Sequence, residues 1–244
     1  LKGNQLYQNK VQYNKAIDYF TQSFQIRENL GDKRGMGANL NNIGLIYFSK
    51  GSFDKSLEYY NDSLAIYKEL NDTLGAGYTF GNMGIVYSDK GDLDKSIEYH
   101  TKSHKIFEKL GDKRAMGISL NNIGNVYYYK GEYTKALNDY DSSLMIREEL
   151  KDKRGMGIIL NNIGKVYTQT LEYNKAFKVL NNAIQIQGKI GVVEFESVVL
   201  FALINKKLNG TYNKDEVNNF INKTEHIEDY LNYYLFLLLN EKSY

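Results

Sequence analysis

The sequence predicts an all-α solenoid of antiparallel helix hairpins, and three observations carry that prediction. A block returns every 40 residues without a gap: Asn41-Asn42-Ile43-Gly44, Gly81-Asn82-Met83-Gly84, Asn121-Asn122-Ile123-Gly124 and Asn161-Asn162-Ile163-Gly164. Each is followed three residues later by a tyrosine, at 47, 87, 127 or 167. Repetition at such a period marks a stacked array in which every unit buries a face against its neighbours. Inside a block the apolar residues fall at helical spacing, first as Leu40, Ile43, Gly44 and Tyr47 and then as Leu57, Tyr60, Leu64 and Tyr67. Lys50-Gly51 interrupts the two runs, so each block reads as helix, tight turn, helix.

Residues 1–31 read as a truncated first repeat. Its Tyr13 opens a series continued by Phe53, Leu93, Tyr133 and Tyr173, each followed three residues on by Ala16, Ser56, Ser96, Ala136 or Ala176. Repeats two to five occupy 32–71, 72–111, 112–151 and 152–191. Gly51, Gly91 and Gly131 sit where a helix end needs a left-handed residue, and Leu171 takes that place in the fifth repeat. Leu30-Gly31-Asp32, Leu70-Asn71-Asp72 and Leu110-Gly111-Asp112 set a C-cap Gly or Asn directly before an N-cap Asp. Each helix is then about 18 residues, roughly 27 Å long. Gly44, Gly84, Gly124 and Gly164 fall mid-helix, where Gly costs about 1 kcal/mol against Ala. The expected reason is close packing against Ser56, Ser96, Ala136 and Ala176.

This pattern resembles the tetratricopeptide repeat, whose signature sets a Leu-Gly pair, an aromatic three residues after that Gly, a Gly at the turn and an Ala early in the second helix. The resemblance runs from Gly3 to about Gly191. The chain lacks Pro and carries a longer connection, Gly31-Asp32-Lys33-Arg34-Gly35-Met36-Gly37. That variant is similar to the 40-residue repeats of Pins-type spindle-orientation scaffolds and of bacterial regulators in which a repeat arm precedes a histidine kinase or nucleotide cyclase. The resemblance implies a right-handed superhelical solenoid that binds proteins or peptides.

Beyond Gly191 the phase weakens. Val193 to Lys207 is amphipathic, Asn209-Gly210 gives a stop, and Asp215 to His226 would pair with it as a degenerate sixth repeat over 192–226. Residues 227–244 read as a capping helix with an apolar face at Tyr230, Leu231, Tyr234, Leu235 and Leu238. Tyr233, Leu237 and Leu239 on its outer side are left for a second copy or another part of the protein. The chain begins at Leu1 without Met, partway through a repeat, and reads as a fragment.

Composition narrows the function. With 31 Lys and Arg against 29 Asp and Glu, the net charge of +2 predicts no strong attraction for nucleic acid or an anionic membrane. No apolar run is long enough for a helix to cross a bilayer, and a cytoplasmic location is the expectation. Without Cys there is neither a disulfide framework nor a thiolate metal site. His100 and His104 lie one helical turn apart, as a metal pair would, yet their equivalents Tyr60 with Leu64 and Tyr140 with Leu144 are packing positions. Neither HExxH, a phosphate-binding Gly loop nor a recurring Ser-His-Asp arrangement is present, so no enzyme and no cofactor are expected.

In a stacked array the first helices of the hairpins line the inner surface and present repeating residues as a ladder. With Ile43, Gly44 and Tyr47 facing the core, the opposite stripe includes Arg34, Ala38, Asn41, Asn42, Leu45 and Ser49. An amide offers donor and acceptor together, which matches an extended peptide backbone. The expected peptide-binding column is therefore Asn42, Asn82, Asn122 and Asn162, with Asn125 and Lys165 beside it. Arg34, Arg114 and Arg154 recur near first-helix starts, where Leu74 breaks the series, and guanidinium forks suit carboxylates, so an acidic ligand is implied. The alternative is that each Arg pairs with an acid of a neighbouring hairpin, such as Asp32 or Glu69, because a cation in a helix's first turn needs a partner. The favoured function is a scaffold holding an extended acidic segment. The alternatives are a regulatory arm of a larger signalling protein, or self-assembly through the open repeat ends or the C-terminal helix.

Overall fold

A computed structural model of the chain describes residues 2–191 and 195–210. These form ten helices and no strand: α1 (Lys2–Asn29), α2 (Lys33–Ser49), α3 (Phe53–Glu69), α4 (Thr73–Asp89), α5 (Leu93–Leu110), α6 (Lys113–Tyr129), α7 (Tyr133–Glu149), α8 (Lys153–Gln169), α9 (Tyr173–Lys189) and α10 (Phe195–Asn209). The chain packs as two compact units, Leu1–Val126 and Tyr127–Tyr244. The second helix expected at 215–226 and the capping helix at 227–244 lie outside the described residues.

The helix boundaries follow from the punctuation read in the sequence. Gly51, Gly91 and Gly131 take φ of 71°, 79° and 73°, and Leu171 takes the same left-handed conformation at 61°. Between repeats, Asp32 accepts the amide of Gly35 at 2.9 Å, Asp72 that of Gly75 at 2.9 Å, Asp112 that of Ala115 at 3.0 Å and Asp152 that of Gly155 at 3.0 Å. Each carboxylate thus satisfies an amide that the helix itself leaves without a partner. Helix α1 differs, running unbroken for 28 residues. Val11 stands where the next three repeats have the turn Gly, and the helix runs on through it.

In the first unit the core gathers Leu57, Tyr60, Leu64, Tyr67, Ala76, Met83 and Val86 from α3 and α4. The mid-helix glycines serve it in a way that corrects the expectation of small residue against small residue. A Cβ at Gly44 would stand 2.7 Å from the Tyr60 ring, and one at Gly84 would stand 2.7 Å from the His100 ring. The missing methyl makes room for a ring. The small residues act on the backbone instead, Ser56 and Ser96 donating to the carbonyls of Gly44 and Gly84 at 2.8 Å. In the second unit a Cβ at Gly164 would lie 2.5 Å from Leu180, and the core joins Ala176 and Leu180 to Leu200 and Ile204 of α10. Helix α10 therefore packs against α9 and α8, and it ends at Asn209 before Gly210, whose φ is 72°.

Candidate binding surface

A stripe beside the mid-helix glycine of each first helix is set by three columns. Six residues before the glycine stand Ala38, Tyr78 and Ile118; three before it stand Asn41, Gly81 and Asn121; one after it stand Leu45, Ile85 and Asn125. Spacings of three and four residues put these columns on one helical stripe. On α2, α4 and α6 the outer columns hold large apolar groups in solvent: Leu45, Tyr78, Ile85 and Ile118 are 49%, 47%, 38% and 46% exposed. Other large apolar residues are exposed elsewhere, among them Tyr19, Leu30, Met145 and Leu171, but these four share one stripe on consecutive first helices. Leu45 belonged to the stripe read from the sequence and Tyr78, Ile85 and Ile118 lie at equivalent rungs of later repeats, but none of the four belonged to the expected binding set. Their signal was the recurrence of large apolar residues at stripe positions that the core pattern does not use.

The expected amide column is placed as follows. Asn42 is exposed, Asn82 and Asn122 are half-buried, and Asn162 is buried. Asn82 donates from Nδ2 to Asn41 Oδ1 at 3.0 Å, a link from α4 back to α2. Asn121 donates to Asn122 Oδ1 at 3.4 Å. In the second unit, Asn161 Nδ2 lies 2.8 Å from Glu196 Oε2, and Lys165 Nζ reaches the same oxygen at 2.6 Å. A carboxylate of α10 thus rests on an amide and an ammonium of α8. Asn125, one repeat before Lys165, is half-buried.

Arg34 makes an ion pair with Asp72, Nε to Oδ2 at 2.7 Å, although its side chain is two-thirds exposed. The acid is the N-cap of the next first helix rather than Asp32 or Glu69, since Asp32 pairs with Arg27 and Glu69 with Lys33. The partner that a cation in a first turn requires is therefore supplied within the chain. Arg114 and Arg154 are exposed in the first turns of α6 and α8.

The two histidines separate. His100 is only 2% exposed against Gly84, and its Nδ1 finds no hydrogen-bond partner among the described residues. Burial pulls its pKa down to about 4, so the ring is neutral at physiological pH. His104 Nδ1 instead meets Ser119 Oγ at 2.9 Å, joining α5 to α6. Among the described residues no three His, Cys, Asp or Glu side chains gather as a metal site, and no helix is long and apolar enough to cross a membrane.

The tetratricopeptide repeat family model matches residues 5–69, 75–149 and 115–189. No curated protein matches the sequence. Among solved structures, BtubC (BKLC) from P. vanneervenii is 14% identical with a TM-score of 0.73, over 95% of this chain and 94% of that one. Aspartyl phosphate phosphatase F from Bacillus subtilis is 15% identical with a TM-score of 0.74, over 89% and 58%. The apo form of the quorum sensor NprR from B. thuringiensis is 19% identical with a TM-score of 0.66, over 96% and 67%. At such identities the likeness is one of fold.

Proposed function

The chain belongs to the tetratricopeptide repeat family, whose fold typically serves as a non-catalytic protein-interaction scaffold, and we propose that the inner, groove-lining face of the first helices α2, α4 and α6 holds an extended, acidic segment of a partner protein. The observation that carries this reading is the exposed apolar stripe of Leu45, Tyr78, Ile85 and Ile118 on consecutive first helices. Neighbouring amides at Asn42, Asn82 and Asn122 supply donors and acceptors for a peptide backbone, and apolar contact beside them supplies affinity. The acidic preference rests on chemistry seen in the fifth repeat. There Asn161 and Lys165 receive the carboxylate of Glu196, and the same two positions one repeat earlier carry Asn121 and Asn125. Arg114, exposed in the first turn of α6, adds a cation on the same helix, two turns before Asn121.

The test is a fluorescence titration of labelled acidic seven-residue peptides, first selected by display on the wild-type chain. Arg114→Glu is expected to weaken binding at least fivefold at 50 mM salt, with a smaller loss at 200 mM because the contact is electrostatic. Affinity unchanged at both salt concentrations removes the acidic preference. Selection of peptides free of Asp and Glu removes it as well.

A further inference from the structure

We propose that the gap left by Gly81 is a pocket for one branched aliphatic side chain of the bound segment, an inference that rests on the binding face proposed above. The argument begins with the link between α2 and α4. Asn41 projects sideways and accepts the amide of Asn82 on the next first helix. One repeat on, Gly81 takes the position of Asn41 and Asn122 that of Asn82, so the side chain that would bridge α4 to α6 is missing. The space it leaves is a cavity of about 100 Å³ among α4, α5 and α6.

The walls select what enters. Tyr78 and Ile85 flank the gap on α4, Ile118 closes it from α6, and Phe107 and His100 of α5 lie at its base. Tyr78 packs against Phe107 with ring centroids 5.0 Å apart, which fixes one wall. The Ser103 hydroxyl at the edge is spent on the carbonyl of Gly77 at 2.8 Å and offers a ligand little. Sites for small-molecule ligands and cofactors run to about 300–1,000 Å³, so this one is too small for either and suits a single side chain. A charged side chain would be desolvated there without an ion-pairing partner, because the base is aromatic and the buried imidazole is neutral. A branched aliphatic group meets mainly apolar contact, from Tyr78, Ile85, Phe107 and Ile118. Asn82 and Asn122 stand beside the opening, where the backbone flanking that side chain would pass.

Gly81→Asn is the informative variant because the chain already contains its outcome. Ser63 donates to Gly37 as Ser103 does to Gly77, both at 2.8 Å, and the second repeat carries Asn41 where the third has Gly81. An added Cβ at Gly81 would lie 3.3 Å from Ser103 Oγ, a contact that a small shift relieves. The variant is therefore expected to fold, with the pocket filled.

Two measurements test the pocket. Random seven-residue peptides displayed on phage are selected in parallel on the wild-type chain and on Gly81→Asn. The expected result is a Leu, Ile or Val at one fixed position in the wild-type pool, no such preference in the variant pool, and a 10- to 50-fold loss when that residue is changed to Ala in a wild-type-selected peptide, about what three buried carbons contribute. Peptides that bind both proteins equally, without an aliphatic position, overturn the pocket and leave the binding face standing. Separately, N-acetyl-leucinamide is titrated into methyl-labelled protein at millimolar concentration, with N-acetyl-glycinamide as control. Shifts at Ile85 and Ile118 with the leucine compound alone, abolished in Gly81→Asn, support the pocket even if no peptide is selected, and their absence overturns it.

Discussion

Replacing His100 by Tyr should remove an acid sensitivity that the structure places in one ring. The imidazole is 2% exposed, and burial alone brings its pKa from 6.5 to about 4. An unfolded chain takes up the proton near pH 6.5 while the folded chain refuses it until about pH 4. The sign follows: His100 leaves stability intact above pH 6.5, and stability is lost progressively as pH falls towards 4. At pH 5 the difference in protonation amounts to about 2 kcal/mol, approaching about 3 kcal/mol below pH 4. Tyr is the replacement of choice because Tyr60 and Tyr140 fill the same position, 1% exposed each, and Tyr60 packs on Gly44 as His100 does on Gly84. Urea unfolding followed by circular dichroism at pH 7.0 and 5.0 gives the answer. Wild type should lose about 2 kcal/mol more than His100→Tyr between the two pH values. Parallel losses in both proteins would refute the claim that a neutral, buried His100 carries the effect.

Three further outcomes follow from other repeats. Arg147 and Asp152 pair at 2.6 Å with side chains 10% and 17% exposed, and Asp152 also caps α8. Asp152→Ala should cost about 3–5 kcal/mol in urea unfolding and clearly more than Asp32→Ala, whose pair with Arg27 is 40% and 43% exposed; equal costs would contradict the burial argument. Leu171 holds a left-handed φ of 61° in solvent, so Leu171→Gly should raise stability by about 0.5–1 kcal/mol despite its greater freedom when unfolded, seen as a higher melting temperature. Burial lifts the Asp139 carboxyl from 3.8 to about 6. Its contribution is therefore present in full below pH 3.8 and lost as pH rises through 6, so Asp139→Asn should gain about 1 kcal/mol at pH 7 and nothing below pH 4, read from urea midpoints.

The features legible in the sequence were local ones. A capping Asp acts on an amide three residues away, and a turn Gly acts on its own φ, so Asp32, Asp72, Gly51 and Gly91 located helix ends directly. The mid-helix glycines were legible as a packing device, but the large side chain they admit comes from 16 residues later, on the other helix of the hairpin, and spacing within one helix does not point to it. The candidate surface was harder to read because its contacts depend on how one repeat sits on the next. Asn82 meeting Asn41, Arg34 meeting Asp72 and Glu196 lying across Asn161 and Lys165 all join different repeats. Gly81 was visible as a missing Asn, yet a cavity needs Phe107 and Ile118 brought around it, and only the packing of α5 and α6 on α4 does that.

The same difference of scale explains why Leu45, Tyr78, Ile85 and Ile118 were less conspicuous than the asparagines. A column of identical residues stands out in an alignment of repeats, whereas a stripe of different apolar residues becomes a common surface only when exposure is known. Their exposure costs solubility unless a partner covers them.

The most direct test of the account is binding by this stripe. Tyr78→Glu combined with Ile118→Glu changes two exposed residues, so helicity by circular dichroism should match wild type. Affinity for a peptide selected on the wild-type chain should fall at least tenfold in that variant, measured by fluorescence anisotropy. An unchanged affinity with an intact fold would contradict the claim that the α2, α4 and α6 face is where this protein holds its partner.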